Sequence, residues 1–274
     1  MASPIESTWS HATVLIETPA GARGTGFLVG RAAPGVDQWR VFLVTNKHVL
    51  DKDRSVRCAM KNLFLHINIH KAGILVGEKV DYPLFLGGGC LWREHSDPAV
   101  DVLAIDVVPL FNAHKELANK FVPESSFADA ARRNAMDITA GEEIIVIGYP
   151  SGIRQGKTNL PLIRQGIIAS RIGEELHEEV QQAAGPPKTR VTRGFLIDGG
   201  TIPGSSGSPV VLKPVTGRFQ GGNIMMGATE PVLLGIIAET RFAPIKTSAG
   251  TTPGFAGLGL AFEVETIVET LNRF

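Results

Sequence analysis

The residue types best suited to chemistry lie late in the chain, in Pro203-Gly204-Ser205-Ser206-Gly207-Ser208-Pro209, between two apolar runs. A Gly-x-Ser-Gly-x-Pro string places a hydroxyl on a tight turn of the kind glycine forms readily. It also frees the N–H groups of Gly204 and Ser206 to point at one spot beside the Ser206 hydroxyl, as an oxyanion hole requires. Taken alone, the string fits a plain hairpin turn equally well. Two further residues bear on it. His48 follows the run Val41-Phe42-Leu43-Val44-Thr45, and Asp101 stands at the start of the run Val100 to Val107. In acyl transfer a hydroxyl attacks, an imidazole takes its proton, and a carboxylate fixes the imidazole tautomer and stabilises the imidazolium.

Buried strands are the elements that must position these groups. Trp9 to Glu17 and Gly26 to Gly30 read as short strands around the turn Pro19-Ala20-Gly21. Val41 to Thr45 is β-branched and aromatic throughout, as expected of a strand buried on both faces. Leu63 to Ile69 alternates; His66 and His70 share one face of it. With no third ligand nearby they read as solvated or satisfied histidines rather than a metal site. Asn112 to Met136 is polar and alanine-rich and is broken by Pro123; Ser125-Ser126-Phe127-Ala128 could open a short helix there. The stretch reads as a connection between two halves. Strands resume at Glu143 to Gly148, then Leu160 to Ile172 as a strand pair or one bent strand, Phe195 to Ile197, Val210 to Leu212, Val232 to Ala238 and Leu258 to Phe262. Gly173 to Gly194 is charged, contains Gly185-Pro186-Pro187, and is expected to be a long surface loop with one helical turn around Leu176 and Val180. Val264, Ile267, Val268 and Leu271 fall on one face of a terminal helix, with Glu269 and Arg273 as an outer pair.

Composition narrows the classes. The 274 residues carry 27 Lys+Arg against 27 Asp+Glu, so there is no electrostatic case for nucleic acid or an anionic membrane as main partner. Frequent glycine (31) and proline (17), with little helical periodicity, suggest many short strands joined by turns. Cys58 and Cys90 match neither a metal spacing nor a disulfide framework and read as free thiols. The first residues have no basic region followed by an apolar core, and no apolar run approaches the roughly 20 residues that span a bilayer. The expectation is a cytoplasmic protein with no metal and no cofactor.

The strings Gly24-Thr25-Gly26-Phe27-Leu28-Val29, Val44-Thr45-Asn46-Lys47-His48-Val49, Asp97 to Ala104, Val146-Ile147-Gly148-Tyr149-Pro150, Gln165-Gly166-Ile167-Ile168-Ala169 and Gly204 to Pro209 resemble, in order, the trypsin-like serine peptidases. The similarity is nearest to the bacterial HtrA-like branch, protease domain only, without a PDZ module. The order His, Asp, Ser separates this arrangement from the subtilisin and α/β-hydrolase orders. The resemblance implies an all-β fold of two six-stranded antiparallel β-barrels with a C-terminal helix: residues 1–111, a connection 112–136, residues 137–262, and the helix 263–274. It implies His48, Asp101 and Ser206 as the triad, in a cleft between the barrels, and Gly204 and Ser206 as the oxyanion hole.

The same resemblance implies Gly200 at the base of the primary specificity pocket and Ala238, Glu239 and Thr240 as the edge that pairs with substrate backbone. Gly257 and Gly259 would line the far wall and leave the pocket open. Without a carboxylate at Gly200, a small or medium apolar residue is expected before the cut. Ser205 stands where digestive members carry the acidic residue that captures a newly cut N-terminus, so that switch is not available. Gly173 to Gly194 corresponds by position to the HtrA-like sensor loop, which makes it the expected site of a regulatory protein partner. The function implied is a serine endopeptidase acting on protein or peptide substrates, with a narrow processing protease as a variant. A catalytically silent or latent binding scaffold is the alternative.

Overall fold

The computed structural model describes residues 3–33, 35, 38–180, 185–220, 223–227, 229–247 and 250–274. A π-helical turn (Ile5–Trp9) runs into α1 (Ser10–Ala12), followed by β1 (Thr13–Glu17), β2 (Arg23–Ala32) and β3 (Trp39–Thr45). Then come α2 (Lys47–Leu50), α3 (Arg54–Ala59), β4 (Asn62–Lys71), β5 (Ile74–Pro83), β6 (Phe85–Leu86), β7 (Gly89–Cys90), β8 (Trp92–Glu94) and β9 (Leu103–Asp106). The connection holds α4 (Val108–Ala113), β10 (Val122–Pro123) and α5 (Ala130–Ala135). The second half has β11 (Glu143–Gly148), β12 (Leu162–Ile168), β13 (Leu176–Val180), β14 (Lys188–Thr192), β15 (Phe195–Asp198) and β16 (Pro209–Leu212). It closes with β17 (Gly217–Gln220), β18 (Asn223–Met226), β19 (Leu233–Thr247), β20 (Gly250–Glu263) and α6 (Val264–Leu271).

The second half closes into a barrel in the order β11-β12-β15-β20-β19-β16. The first half differs from the expected six-stranded barrel. It is a sheet in the order β5-β4-β1-β2-β3-β9-β8, with β10 added beside β2. Its two ends approach through single bonds instead of a ladder: Leu91 N–H donates to Leu84 O at 2.9 Å, and Tyr82 Oη to Asp106 O at 2.7 Å. The Gly-rich β6–β7 hairpin falls between them and interrupts the pairing.

Three cores hold the chain. Val14, Ile16, Leu28, Leu43, Leu65 and Ile67 fill the first sheet, while Val146, Ile168, Phe195, Ile197, Val210 and Ile237 fill the barrel. A third lies in the seam between them, where Phe27, Phe42, Val102, Ile147, Val211 and Phe262 meet Ile267 and Leu271 of α6. β3 serves both sides, with Leu43 turned into the sheet core and Phe42 and Val44 into the seam. Burying one such side chain contributes roughly 1.5–3 kcal/mol.

Several local expectations are corrected. Trp9 belongs to the helical turn, not a strand, because Ile5 and Trp9 on one face bury in the seam. Asp129, rather than Ser125 or Ser126, caps the connection helix: its carboxylate accepts from Arg132 N–H at 2.8 Å. β9 begins only at Leu103, and of the two readings of Leu160 to Ile172 the single strand is found, with the shorter bounds Leu162–Ile168. Residues 173–194 contain the hairpin β13–β14, not a loop with a helical turn, and Leu176 pairs with Thr192 in it. β-branched Val180, Thr189, Val191 and Thr192 favour that ladder; residues 181–184 within the segment lie outside the described residues. β19 and β20 extend far beyond the expected strands, pairing as far as Thr247 with Gly250. Glu269 turns away from Arg273 and pairs with Arg193 at 2.9 Å and His95 at 2.6 Å.

Candidate active site

β3 ends at Thr45, and α2 presents His48 on its first turn. Val100 and Val102 are driven into the seam core just before β9, and Asp101 between them stays half-buried. Its carboxylate accepts the His48 backbone N–H at 3.2 Å and is hydrogen-bonded to His48 Nδ1. Asn46 Nδ2 donates to Asp101 O at 2.6 Å, fixing the backbone behind it. With Nδ1–H committed to a carboxylate, Nε2 is the ring nitrogen free to accept a proton. His66, by contrast, is 3.2 Å from Glu17 on the first sheet and takes no part in the cleft.

Ser206 sits on the turn between β15 and β16. The turn is closed by Ser205 N–H to Ile202 O and Ser208 N–H to Ser205 O, both 3.0 Å, and by Gly207 N–H to Ile237 O at 2.8 Å. Gly204 has φ +90°, and a Cβ there would lie 2.6 Å from Tyr149 O. At Gly207 a Cβ would lie 1.8 Å from Thr25 O. Both positions require glycine.

Among the described residues, neither Gly204 N–H nor Ser206 N–H donates a hydrogen bond. Pro203 O accepts from Ser151 N–H at 2.8 Å. Because C=O and N–H point oppositely across a trans peptide, this bond turns Gly204 N–H away from Ser151. Ser151 has φ 52° and ψ 22°, the left-handed conformation that presents its N–H there.

His48, Asp101, Pro203 and Ser206 line one cleft with Ala238, Glu239, Thr240 and Phe242, with a volume of about 630 Å³. In this conformation Ser206 Oγ donates to Ala238 O at 3.3 Å. Among the described residues no hydrogen bond joins it to His48. Nucleophile–base bonds are often long or unformed without substrate, and a change of χ1 well re-aims a hydroxyl.

A family model for the trypsin-like peptidase domain matches residues 24–221. The chain belongs to that family. Among solved structures, an inactive form of Rv3671c from M. tuberculosis carrying a serine-to-alanine substitution has a TM-score of 0.46 at 15% identity. That match covers 98% of this chain and 88% of the other. The active form of the Rv3671c protease has a TM-score of 0.46 at 16% identity, covering 96% and 80%. No curated protein matches the sequence. Among the described residues no helix is long and apolar enough to cross a membrane.

The positions that the trypsin-like resemblance assigns to substrate divide. Ala238 to Thr240 border the cleft, and Ala238 is the extra residue of a β-bulge between Ile237 and Glu239. Glu239 is ion-paired with Arg190 at 3.3 Å and Arg241 at 3.1 Å. Gly200 has φ +56°, and its N–H donates to Gly257 O at 3.2 Å. The wall expected to be open is filled at Gly259, where Thr201 Cγ2 lies 2.5 Å from the place of a Cβ.

Three further residues that the sequence does not single out for this role support the Ser206 turn. Thr25 donates through Oγ1 to Gly204 O at 3.0 Å and through N–H to Ser206 O at 2.9 Å, tying the turn to the other half. Ser151 is the second. The third is Arg164, which donates to Gly200 O and to Ser205 Oγ, each at 2.8 Å. Burial pulls its guanidinium below its ordinary value, and among the described residues it has no ion-pair partner. In the sequence Arg164 shows only as the one cation between the apolar pairs of the run Leu162 to Ile168.

Proposed function

We propose that this trypsin-like peptidase is a serine endopeptidase using His48, Asp101 and Ser206. Substrate backbone lies along Ala238 to Thr240, and Ser206 Oγ attacks the scissile carbonyl. The proton passes to His48 Nε2, while Asp101 holds Nδ1–H and stabilises the imidazolium. Gly204 N–H and Ser206 N–H receive the developing oxyanion. The imidazolium then protonates the leaving amine, and water repeats the sequence on the acyl-enzyme. Thr201 narrows the primary pocket, favouring a small residue before the cut.

The observation that carries this reading is the pairing of two N–H groups without partners, Gly204 and Ser206, with a histidine whose Nδ1 is already bound to a carboxylate. Ser205 leaves no carboxylate under the turn to be captured by an ammonium. Arg164 takes over that organising task by clamping Gly200 O and Ser205 Oγ. Hairpin β13–β14 is joined to the substrate edge by Arg190–Glu239 at 3.3 Å and Glu178–Arg241 at 3.2 Å. A protein partner engaging residues 173–194 would act on the substrate edge through these pairs.

The Ser206 Oγ bond to Ala238 O favours a second reading, a latent or catalytically silent scaffold. A fluorophosphonate probe separates the two. The endopeptidase reading expects covalent labelling of the wild type and none of Ser206→Ala; an unlabelled wild type supports the scaffold.

A further inference from the structure

Beside the catalytic cleft lies a chamber of about 710 Å³ between α2, α3, β8 and the C-terminal end of α6. Its lining includes the cations Lys47, Lys52, Arg54, Arg57, Arg93 and Arg273 and one carboxylate, Glu94. The chain as a whole has zero net charge, so this is a local concentration rather than a general excess. Glu94 is shared between Arg57 at 2.8 Å and Arg54 at 3.2 Å. The other four cations gain nothing from it as a direct partner. Arg93 donates only to the carbonyls of Cys90 and Trp92. Among the described residues the side chains of Lys52 and Arg273 have no hydrogen bond or ion pair, and both are exposed.

Lys47 is the telling member. It is 7% exposed, and its ammonium donates to one backbone carbonyl, Asp97 O at 3.0 Å, with no ion pair. Desolvation lowers its pKa, against the pull of Glu94 and Asp101. A buried cation with no carboxylate in contact, and only the longer-range pull of Glu94, Asp101 and Asp97, carries a standing cost that an incoming anion offsets. A concave site of one sign also focuses the field and raises the local concentration of anions. The donor surplus extends to Trp92, whose buried indole N–H has no acceptor among the described residues.

The chamber and the catalytic cleft share Lys47, Lys52, Arg57 and Pro98. Ala238 to Thr240 line the same cleft. A peptide paired with that edge points alternate side chains to opposite sides, and one set is directed across the cleft at the shared wall. We propose that the chamber is an anion-binding exosite that takes Asp or Glu side chains of the polypeptide held in the cleft, just before the scissile bond. The inference rests on the peptidase reading for the direction of the bound chain. Recognition of a carboxylate there is by Lys52 and Arg273 at the mouth and Lys47 within.

The test uses full-length Ser206→Ala and two fluorescein-labelled peptides, one with a Glu-Asp-Glu head and one with Gln-Asn-Gln, each followed by the same apolar tail. Fluorescence anisotropy should find the acidic peptide bound about tenfold more tightly at low salt, with the advantage falling toward none near 1 M salt. Adding Lys52→Glu and Arg273→Glu, both exposed and without partners, should reverse the preference without disturbing the fold. Equal binding of the two peptides overturns the proposal, as does an acidic preference that survives the charge reversals. Displacement by a single-stranded oligonucleotide at lower concentration than by unlabelled acidic peptide also overturns it, in favour of a nucleic-acid site. Fluorophosphonate labelling of the chain with Ser206 intact is read separately: loss of labelling with the acidic preference retained strikes the peptidase reading and leaves the exosite.

Discussion

The His48–Asp101 side of the cleft is held by its own members, whereas the Ser206 side is held from outside. Asp101 accepts both the backbone N–H and the ring Nδ1 of His48, and Asn46 beside it closes the arrangement. The Ser206 turn takes supports from distant places: Thr25 on β2, Ser151 after β11, Arg164 on β12 and Ile237 on β19. A pair that orients itself needs few other residues to be right. A turn whose Gly204 and Ser206 N–H groups have no acceptor among the described residues, as the proposed oxyanion hole needs, cannot be satisfied wholly from within. Its rigidity comes through its remaining N–H groups, its carbonyls and the Ser205 hydroxyl.

This contrast sets an order of effects. Asp101→Asn should lower turnover by about 10⁴-fold with little change in stability, the loss expected when the carboxylate no longer selects the tautomer; steady-state kinetics and a melting curve check both halves of that statement. A small loss would break the claim that this side is self-contained. Arg164→Ala should lower kcat by about 10²–10³-fold, comparable to losing one oxyanion donor. Arg164→Lys or added guanidinium should restore part of it, which a general packing defect would not allow.

Glu17, remote from both sides, should leave turnover alone and report only on the first sheet. Its carboxyl is held down at about 2, first by the hydrogen bond from Lys79 at 2.7 Å. A folded value below the unfolded one gives stability that is complete above the ordinary value of 4.5 and is lost as pH falls through about 2. The melting temperatures of wild type and Glu17→Gln should therefore differ near neutrality and converge across that range. A gap that persists at the acid end would contradict the assignment.

The self-contained side was legible because its parts are adjacent to strong strand signals. Val41 to Thr45 and Val100 to Val102 announce their burial, and His48 and Asp101 follow from them. The supports of the Ser206 side were not legible, and β12 explains why. Its apolar Ile163 and Ile167 are exposed while Arg164 is turned inward. Gly166 dictates this register, since a Cβ there would lie 2.3 Å from Asp198 O. Backbone contact therefore sets which face turns inward, and the residue types, apolar on both faces, do not announce it. In β19 and β20 the signal failed differently. Pro244 and Pro253 are register partners in a ladder that their residue type argues against. Ser151 lies outside every strand signal, and nothing in the sequence marks its left-handed backbone as the donor to Pro203 O.

The central claim is that Ser206 is an acylated nucleophile whose oxyanion site depends on Arg164. The most direct measurement is the pre-steady-state burst with p-nitrophenyl acetate, with the acetyl group mapped by mass spectrometry, in wild type and Arg164→Ala. The account predicts a stoichiometric burst placed on Ser206 in the wild type, and acylation about 10²-fold slower in the variant. Acetylation elsewhere, or equal burst rates in the two proteins, would contradict it.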